Sequence, residues 1–382
     1  MTTTDADVTI ATRLHAAPGR GVVVMTSGGS GALATLLRTP GASRTVLEAT
    51  VPYEAGALAD FLGGAPDRAC APDTARAMAM AAFHRARILE PDAEVFGVSC
   101  TASLATDRDK RGEHRVHVAV QTSTASDLFS VELTAGARSR SEEEAVCDRL
   151  LLNAIAEAKG LAPAPMPDWL EGETLAELRC HAPAHWRSLV LGKRQVADAR
   201  HAAEPEPGPR PRLVFPGAFN PVHAGHLGMA RLAEAYTGLE VEFELCIRNV
   251  DKPPLNYAAI RERLGHLPED ARVWLTTTPT FVDKATLFPG ATFMVGIDTL
   301  ERIAAARYYS GDEDLRNRAL RHIAAAQCRF LVFGRRLGDR FSGLDDIDLP
   351  NALRGLCTGI SEAEFRHDLS STQLRMPHTH HG

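Results

Sequence analysis

RLVFPGAFNPVHAGHLGMARLAEAY, residues Arg212–Tyr236, decides how the second half of this chain is read. The apolar run Leu213-Val-Phe enters a turn at Gly217-Ala-Phe-Asn-Pro, and helical spacing begins at His226. Strand, turn and helix in that order open an α/β unit. The two histidines, His223 and His226, fall where the helix starts, three residues apart, and can face one point. A helix N-terminus offers unpaired N–H groups and the positive end of its dipole, which favours phosphate. Gly217 and Gly225 allow backbone N–H groups to approach a ligand closely. Imidazoles in that position can donate hydrogen bonds to a phosphoryl group in flight.

Outward from this stretch the pattern repeats. VEFELCI, VWLTTT, ATFMVGI and CRFLVFG read as strands, and Tyr257 to Leu264 as a helix. Strands separated by helices predict a parallel sheet with right-handed crossovers over residues 212–382. Just upstream, AAEPEPGPRPR cannot continue a helix or a strand. Residues 161–211 are therefore read as a helical extension, around Leu175 to Ala199, followed by a Pro-rich linker. Residues 1–160 alternate as well: GVVVMT, VLEATVPY, VFGVSCT and RVHVAVQTST as strands, with helices over GALATLLRT and Asp73 to Arg87. A long helix from Ser141 to Lys159 closes them, with Ser141 as N-cap and Glu144 three residues on. The expected fold is α/β in two domains.

Composition narrows the class. The 382 residues are 45% hydrophobic and 24% charged, with no apolar run long enough to span a bilayer, so no membrane partner is expected. The N-terminus lacks the basic and apolar regions of a secretory signal. Seven cysteines, odd in number and never spaced Cys-x-x-Cys, argue against a disulfide framework and a structural zinc site, and suit a reducing cytoplasm. A net charge of -6 gives no reason to expect a nucleic acid polymer. Only five of the 42 basic residues are lysines, so Lys252 and Lys284 merit more weight than surface lysines usually do. A homo-oligomer is left open.

A second motif lies at Asp368-Leu-Ser370-Ser371-Thr372-Gln-Leu-Arg375. Hydroxyls and N–H groups opening a helix, with an arginine one turn along, suit phosphate oxygens. GAFNPVHAGH together with LSSTQLR resembles the paired H-x-G-H and I-S-S-T-x-x-R signatures of HIGH-type nucleotidyltransferases, above all nicotinate/nicotinamide mononucleotide adenylyltransferases. The resemblance covers residues 212–375, with Leu369 in place of the usual isoleucine. It implies a Rossmann-like sheet, with His223 and His226 touching the triphosphate and stabilising the transition state. It further implies that Ser370, Ser371, Thr372 and Arg375 hold the outer phosphates. Gly217, Ala218, Phe219, Asn220 and Gly225 would line the nucleotide, and Gly296 and Asp298 in FMVGIDTL would contact the nucleoside. Lys252 in NVDKPPLNY reads as a phosphate clamp, whereas Lys284 in FVDKATLF reads as a clamp or an exposed loop lysine.

The chemistry so implied is an in-line displacement at the α-phosphorus, with an ionised phosphate as nucleophile and pyrophosphate leaving. Positioning and charge stabilisation by histidines, Lys/Arg and Mg²⁺ suffice, without a side-chain base. ATP and nicotinate or nicotinamide mononucleotide are the expected substrates, and no resident metal ligands are assigned. Two rivals stand beside this reading: cytidylyl or adenylyl transfer to another phosphorylated small molecule, and a non-catalytic nucleotide sensor.

In the first half, VVVMTSGGSGALATLLRTPGAS, TVPYEAGALADFLGG, FGVSCTASLA and HRVHVAV resemble the C-terminal domain of the CinA family, the nicotinamide-nucleotide amidases. The likeness covers about residues 15–160. It sets Met25 and Thr26 at the Glu-Ser positions of that family's nucleophile motif, leaving Ser27 or Ser30 as displaced substitutes. Tyr53 matches the family tyrosine, and Leu58 occupies the lysine position. Leucine carries neither proton nor charge, so an inactive amidase-like domain is expected. SGGSG between strand and helix could still cradle a phosphate through its N–H groups.

Overall fold

The structure, a computed structural model, describes residues 5–107, 112–202, 208–248, 253–337 and 340–364. The chain divides into two units, Met1–Pro183 with Asn249–Ile260, and Ala184–Arg248 with Arg261–Gly382. Each is a mixed α/β structure built on its own sheet.

The first unit runs α1 (Asp5–Ala16), β1 (Arg20–Met25), α2 (Ser30–Arg38), β2 (Val46–Thr50), α3 (Ala55–Leu62), α4 (Pro72–Leu89), β3 (Val95–Ser103), β4 (His114–Gln121), β5 (Ala125–Leu133), α5 (Arg140–Ala158) and β6 (Ala176–His181). Its sheet has the order β2-β1-β3-β4-β5-β6, parallel through β2, β1 and β3 and antiparallel from β3 onward. Val22, Val23 and Val24 of β1 are all buried, as a strand covered on both faces requires. The α1, α2 and α5 helices cover one face over a core of Val23, Val98, Val118, Leu150 and Ile155. The α4 helix covers the other, and its backbone rides directly on Gly97 of β3. A Cβ there would lie 2.1 Å from the Phe83 nitrogen and 2.3 Å from the Ala79 oxygen.

Two readings of the first half are corrected. The cap of α5 is Ser139, whose side chain accepts from the Glu142 N–H while Glu142 reaches back, so the box sits one Ser-x-x-Glu frame earlier than Ser141 and Glu144. Glu144 instead bonds the Gly29 N–H and Arg140. The helix expected from Leu175 to Ala199 is replaced by β6, a short α6 (Ala184–Val190) and β7 (Val196–Asp198), since ladder bonds to β5 outweigh local helical spacing.

The second unit continues from α6 and β7 with β8 (Arg212–Pro216), α7 (Ala224–Thr237), β9 (Val241–Cys246), α8 (Tyr257–Gly265, counted with the first unit up to Ile260), β10 (Arg272–Thr276), α9 (Phe281–Leu287), β11 (Ala291–Gly296), α10 (Ile297–Ala304), α11 (Glu313–Ala325), β12 (Arg329–Phe333), β13 (Arg335–Leu337), β14 (Arg340–Ser342), α12 (Asn351–Arg354) and β15 (Cys357–Ile360). The seven-stranded sheet is ordered β15-β12-β11-β8-β9-β10-β7, and every pair is parallel except β10 with β7. The α9, α10 and α11 helices pack on one face through Phe288, Leu300, Leu320 and Ile323 against Val214, Phe293 and Phe330. Phe215, Phe219 and Phe243 form an aromatic cluster with His226 of α7.

From β8 the chain adds β9 and β10 to one side, then returns to lay β11, β12 and β15 on the other. The direction of winding reverses between β8 and β11. In open α/β sheets that reversal leaves a crevice beyond the strands' carboxyl ends, because the two following loops lead away from each other. Here the β8–β11 ladder stops at Val214 and Phe293, although β8 runs on to Pro216 and β11 to Gly296.

Candidate functional site

The histidines of the opening stretch stand at that crevice. Pro216 ends β8, and the turn that follows delivers His223 to the N-cap of α7. The two rings cap the helix reciprocally. His223 Nδ1 accepts the Gly225 N–H at 3.1 Å, and His226 Nδ1 accepts the His223 N–H at 3.3 Å. A ring nitrogen that accepts carries no proton, so in each imidazole the proton is on Nε2. The rings stack, with centroids 3.8 Å apart and planes inclined by 30°. Burial, and then the neighbouring His223, push the His226 pKa down to about 4, so this ring is neutral at pH 7. The result is two stacked imidazoles, each oriented by a backbone N–H at its Nδ1.

Behind them lies Phe219, fully buried with a φ of 44°, a left-handed conformation that costs a non-glycine residue roughly 1–3 kcal/mol. Its ring lies 5.4 Å from each of Phe215, Phe243 and His226. Burying a phenylalanine contributes about 1.5–3 kcal/mol, and aromatic pairs add roughly 0.5–1.5 each. Packing therefore outweighs the strain. Gly217 makes it possible, since a Cβ at that position would come within 2.5 Å of the Phe219 ring.

These facts revise several expected roles. The Gly217 N–H is taken by the Glu244 carbonyl at 3.0 Å and the Gly225 N–H by His223, so both glycines shape the turn rather than offer donors to a ligand. The Phe219 side chain belongs to the core, and only its backbone borders the turn. Ala218 is exposed and Asn220 half-buried on the same turn. Across the crevice Gly296 ends β11 as the N-cap of α10, with open space where a Cβ would stand. Asp298, in the first turn of α10, pairs with Arg335 of β13, a partner the sequence reading missed. The C-terminal ends of β8 and β11 thus bring His223, His226, Gly296 and Asp298 to one edge of the sheet. Lys252, Ser370, Ser371, Thr372 and Arg375 lie outside the described residues.

Lys284 is neither a phosphate clamp nor an exposed loop lysine. It sits in α9 at 3% exposure, and its Nζ donates to Glu244 Oε1 at 2.6 Å. Among the described residues no group of three or more His, Cys, Asp or Glu side chains could hold a metal. Nor is any described helix long and apolar enough to cross a membrane.

In the first unit the amidase-like positions are differently engaged. Thr26 is buried and its hydroxyl donates to Thr101 Oγ1 at 2.9 Å, which in turn donates to the Ala69 carbonyl. The Ser27 carbonyl faces the Cys100 thiol, Ser30 is the exposed first residue of α2, and Tyr53 is 73% exposed. Leu58 is packed in the core side of α3. The expected phosphate cradle at SGGSG is overturned: Glu144 takes the Gly29 N–H at 3.0 Å and Asp148 the Ala32 N–H at 2.8 Å. Two carboxylates thus stand against the loop and the start of α2, and their charge repels a phosphate. Desolvation raises the Asp148 pKa to about 6, against the lowering effect of its Ala32 bond.

No protein-family model matches the chain, and no curated protein matches it. Among solved structures it is similar to the competence/damage inducible protein CihA from Agrobacterium tumefaciens, at 21% identity over 41% of this chain and 99% of that one, with a TM-score of 0.35. It is also similar to a competence-damaged protein (CinA) superfamily protein from Escherichia coli, at 16% identity over 41% and 94% of the two chains, with a TM-score of 0.31. Scores that low carry no argument about chemistry.

Proposed function

We propose that the chain is a nucleotidyltransferase that moves the AMP moiety of ATP onto a mononucleotide, nicotinate or nicotinamide mononucleotide, releasing pyrophosphate. The observation that carries this reading is the stacked His223–His226 pair at the switch point of the second sheet. Backbone N–H groups fix both Nδ1 atoms, so the two stacked rings are oriented before any substrate arrives. The strand order fits a Rossmann-like nucleotide-binding sheet.

In the reaction so read, an oxygen of the acceptor's phosphate forms a bond to the α-phosphorus as the bond from that phosphorus to the bridging oxygen breaks. Pyrophosphate carries away the electron pair. Negative charge grows on the phosphoryl oxygens and on the leaving group, where donors held in advance stabilise it with little reorganisation. A neutral His226 suits the role, since donation does not depend on its taking up a proton from solvent. Magnesium enters as the complex of the triphosphate and is part of the substrate; it shields the leaving pyrophosphate. Gly296, without a side chain, and Asp298 would receive the nucleoside. Ser370, Ser371, Thr372, Arg375 and Lys252 keep their proposed places on the outer phosphates.

The pyridine acceptor rests on the sequence likeness of residues 15–160 to nicotinamide-nucleotide amidases, and we read that half as inactive in amide hydrolysis. A cytoplasmic site of action follows from the same sequence reading. The test is pyrophosphate release by the full chain across a panel of nucleoside triphosphates and phosphorylated acceptors. Turnover with ATP and a pyridine mononucleotide is expected. Turnover only with CTP, or only with another phosphorylated acceptor, would replace the substrates. Triphosphate binding without turnover for any acceptor would make the protein a sensor.

A further inference from the structure

The turn at residues 217–222 is held to the sheet in an economical way. Pro216 is the register partner of Glu244 on β9, and in a parallel ladder the last rung of that pair is donated by the next residue, Gly217. On the other side, pairing with β11 has already stopped at Val214. Among the described residues, the Gly217 N–H to Glu244 carbonyl bond, 3.0 Å long, is the one backbone hydrogen bond that ties this turn to the sheet. Packing of Phe219 supplies the other hold.

The residue that provides that carbonyl has an unusual side chain for its place. Glu244 is 1% exposed, and both bonds that orient it land on Oε1: Lys284 Nζ at 2.6 Å and the Thr276 hydroxyl. Its other oxygen, Oε2, is buried without a hydrogen-bond partner. A buried ion pair with one oxygen unsatisfied is a poor device for stability, since an apolar pair of similar volume would do at least as well. What it does supply is direction. Three elements converge on one atom, β9 with Glu244, β10 with Thr276 and α9 with Lys284.

We propose that Lys284 and Thr276 fix the Glu244 side chain so that its carbonyl pins the Gly217 turn, making Lys284 a positioning residue for His223 and His226. The catalytic consequence rests on the nucleotidyltransferase reading; the mechanical one does not.

The experiment uses the full chain with Glu244→Gln, Lys284→Met, the double variant, and Thr276→Val. Removing both charges together avoids leaving one buried and alone. Amide exchange is read at Gly217 and, as a reference, at Phe293 and Phe330 of β11 and β12. In the double variant the Gly217 amide is expected to exchange at least tenfold faster, with the reference amides unchanged. Turnover is expected to fall at least tenfold with the KM for the triphosphate unchanged, as displaced histidines rather than lost binding would give. Thr276→Val, the mildest change, should shift both in the same direction by less, and decides the matter if the double variant does not fold. Unchanged Gly217 exchange in Thr276→Val and in every folded charge variant overturns the proposal. So does a loss of turnover that merely follows the melting temperature. Should the parent chain show no turnover at all, the functional reading falls, while the exchange data still decide whether Lys284 holds the turn.

Discussion

Acidification should act on His226 in a way that can be worked out in advance. In the folded chain burial and His223 hold its pKa at about 4, against 6.5 for the free side chain. At ~1.4 kcal/mol for each tenfold change in proton affinity, that corresponds to ~3 kcal/mol. The ring keeps part of its surface in solvent, so ~2 kcal/mol is the better expectation. Above pH 6.5 the ring is neutral in both folded and unfolded chains and contributes no pH dependence. As the pH falls below 6.5 the unfolded chain takes up a proton that the folded site refuses, so stability declines, levelling off below about 4. Protonation at last removes the acceptor that binds the His223 N–H and sets a charge against a ring 3.8 Å away. Ring NMR of the full chain, with His226 assigned by comparison with His226→Gln, should give a midpoint near 4. Denaturant unfolding of the two proteins should differ by ~2 kcal/mol more at about pH 7.5 than at about pH 4. His117, whose pKa burial also lowers to about 4, and His15, lowered as well, titrate in both proteins and cancel in the difference. A His226 midpoint near 6.5, or a flat difference curve, refutes the reasoning.

Gly217→Ala should destabilise the second unit by about 1–3 kcal/mol, because its Cβ meets the Phe219 ring at 2.5 Å; a melting curve unchanged from the parent contradicts this. Asp298→Asn should leave stability within ~1 kcal/mol, since its partner Arg335 and itself are both exposed. Its effect should instead be a raised KM for the triphosphate, and an unchanged KM would remove Asp298 from the site. The full chain should release no ammonia from nicotinamide mononucleotide. Release that disappears on changing Ser27 or Ser30 to alanine would overturn the reading of Leu58.

Much of this site was legible because its signals are local. Gly217, His223 and His226 lie within ten residues, and strand, turn and cap all follow from that short run. What stayed hidden depends on contacts between distant segments. Lys284 reads from the sequence as a clamp or an exposed loop lysine, and its true partner is Glu244, 40 residues earlier, met inside the sheet. Arg335 could not be matched to Asp298 from spacing, because the pairing depends on β12 lying beside β11. The SGGSG loop has the composition of a phosphate cradle, yet Glu144 and Asp148, more than 100 residues on, bind the N–H groups of Gly29 and of Ala32 just beyond it. Ser139 and Ser141 each precede a glutamate by three residues, so sequence alone offered two capping boxes and geometry chose the first. The β5 strand has no strict alternation to mark it, since successive residues such as Leu128 and Phe129 are both buried and only its end, Val131 to Leu133, alternates.

The most direct test is to follow the α-phosphorus itself. With ATP labelled at that position, the full chain and a pyridine mononucleotide should yield labelled dinucleotide and unlabelled pyrophosphate. His223→Ala and His226→Gln should each lower the rate at least a hundredfold. Label confined to free AMP, transfer of the γ-phosphate instead, or undiminished transfer by the histidine variants would contradict the account.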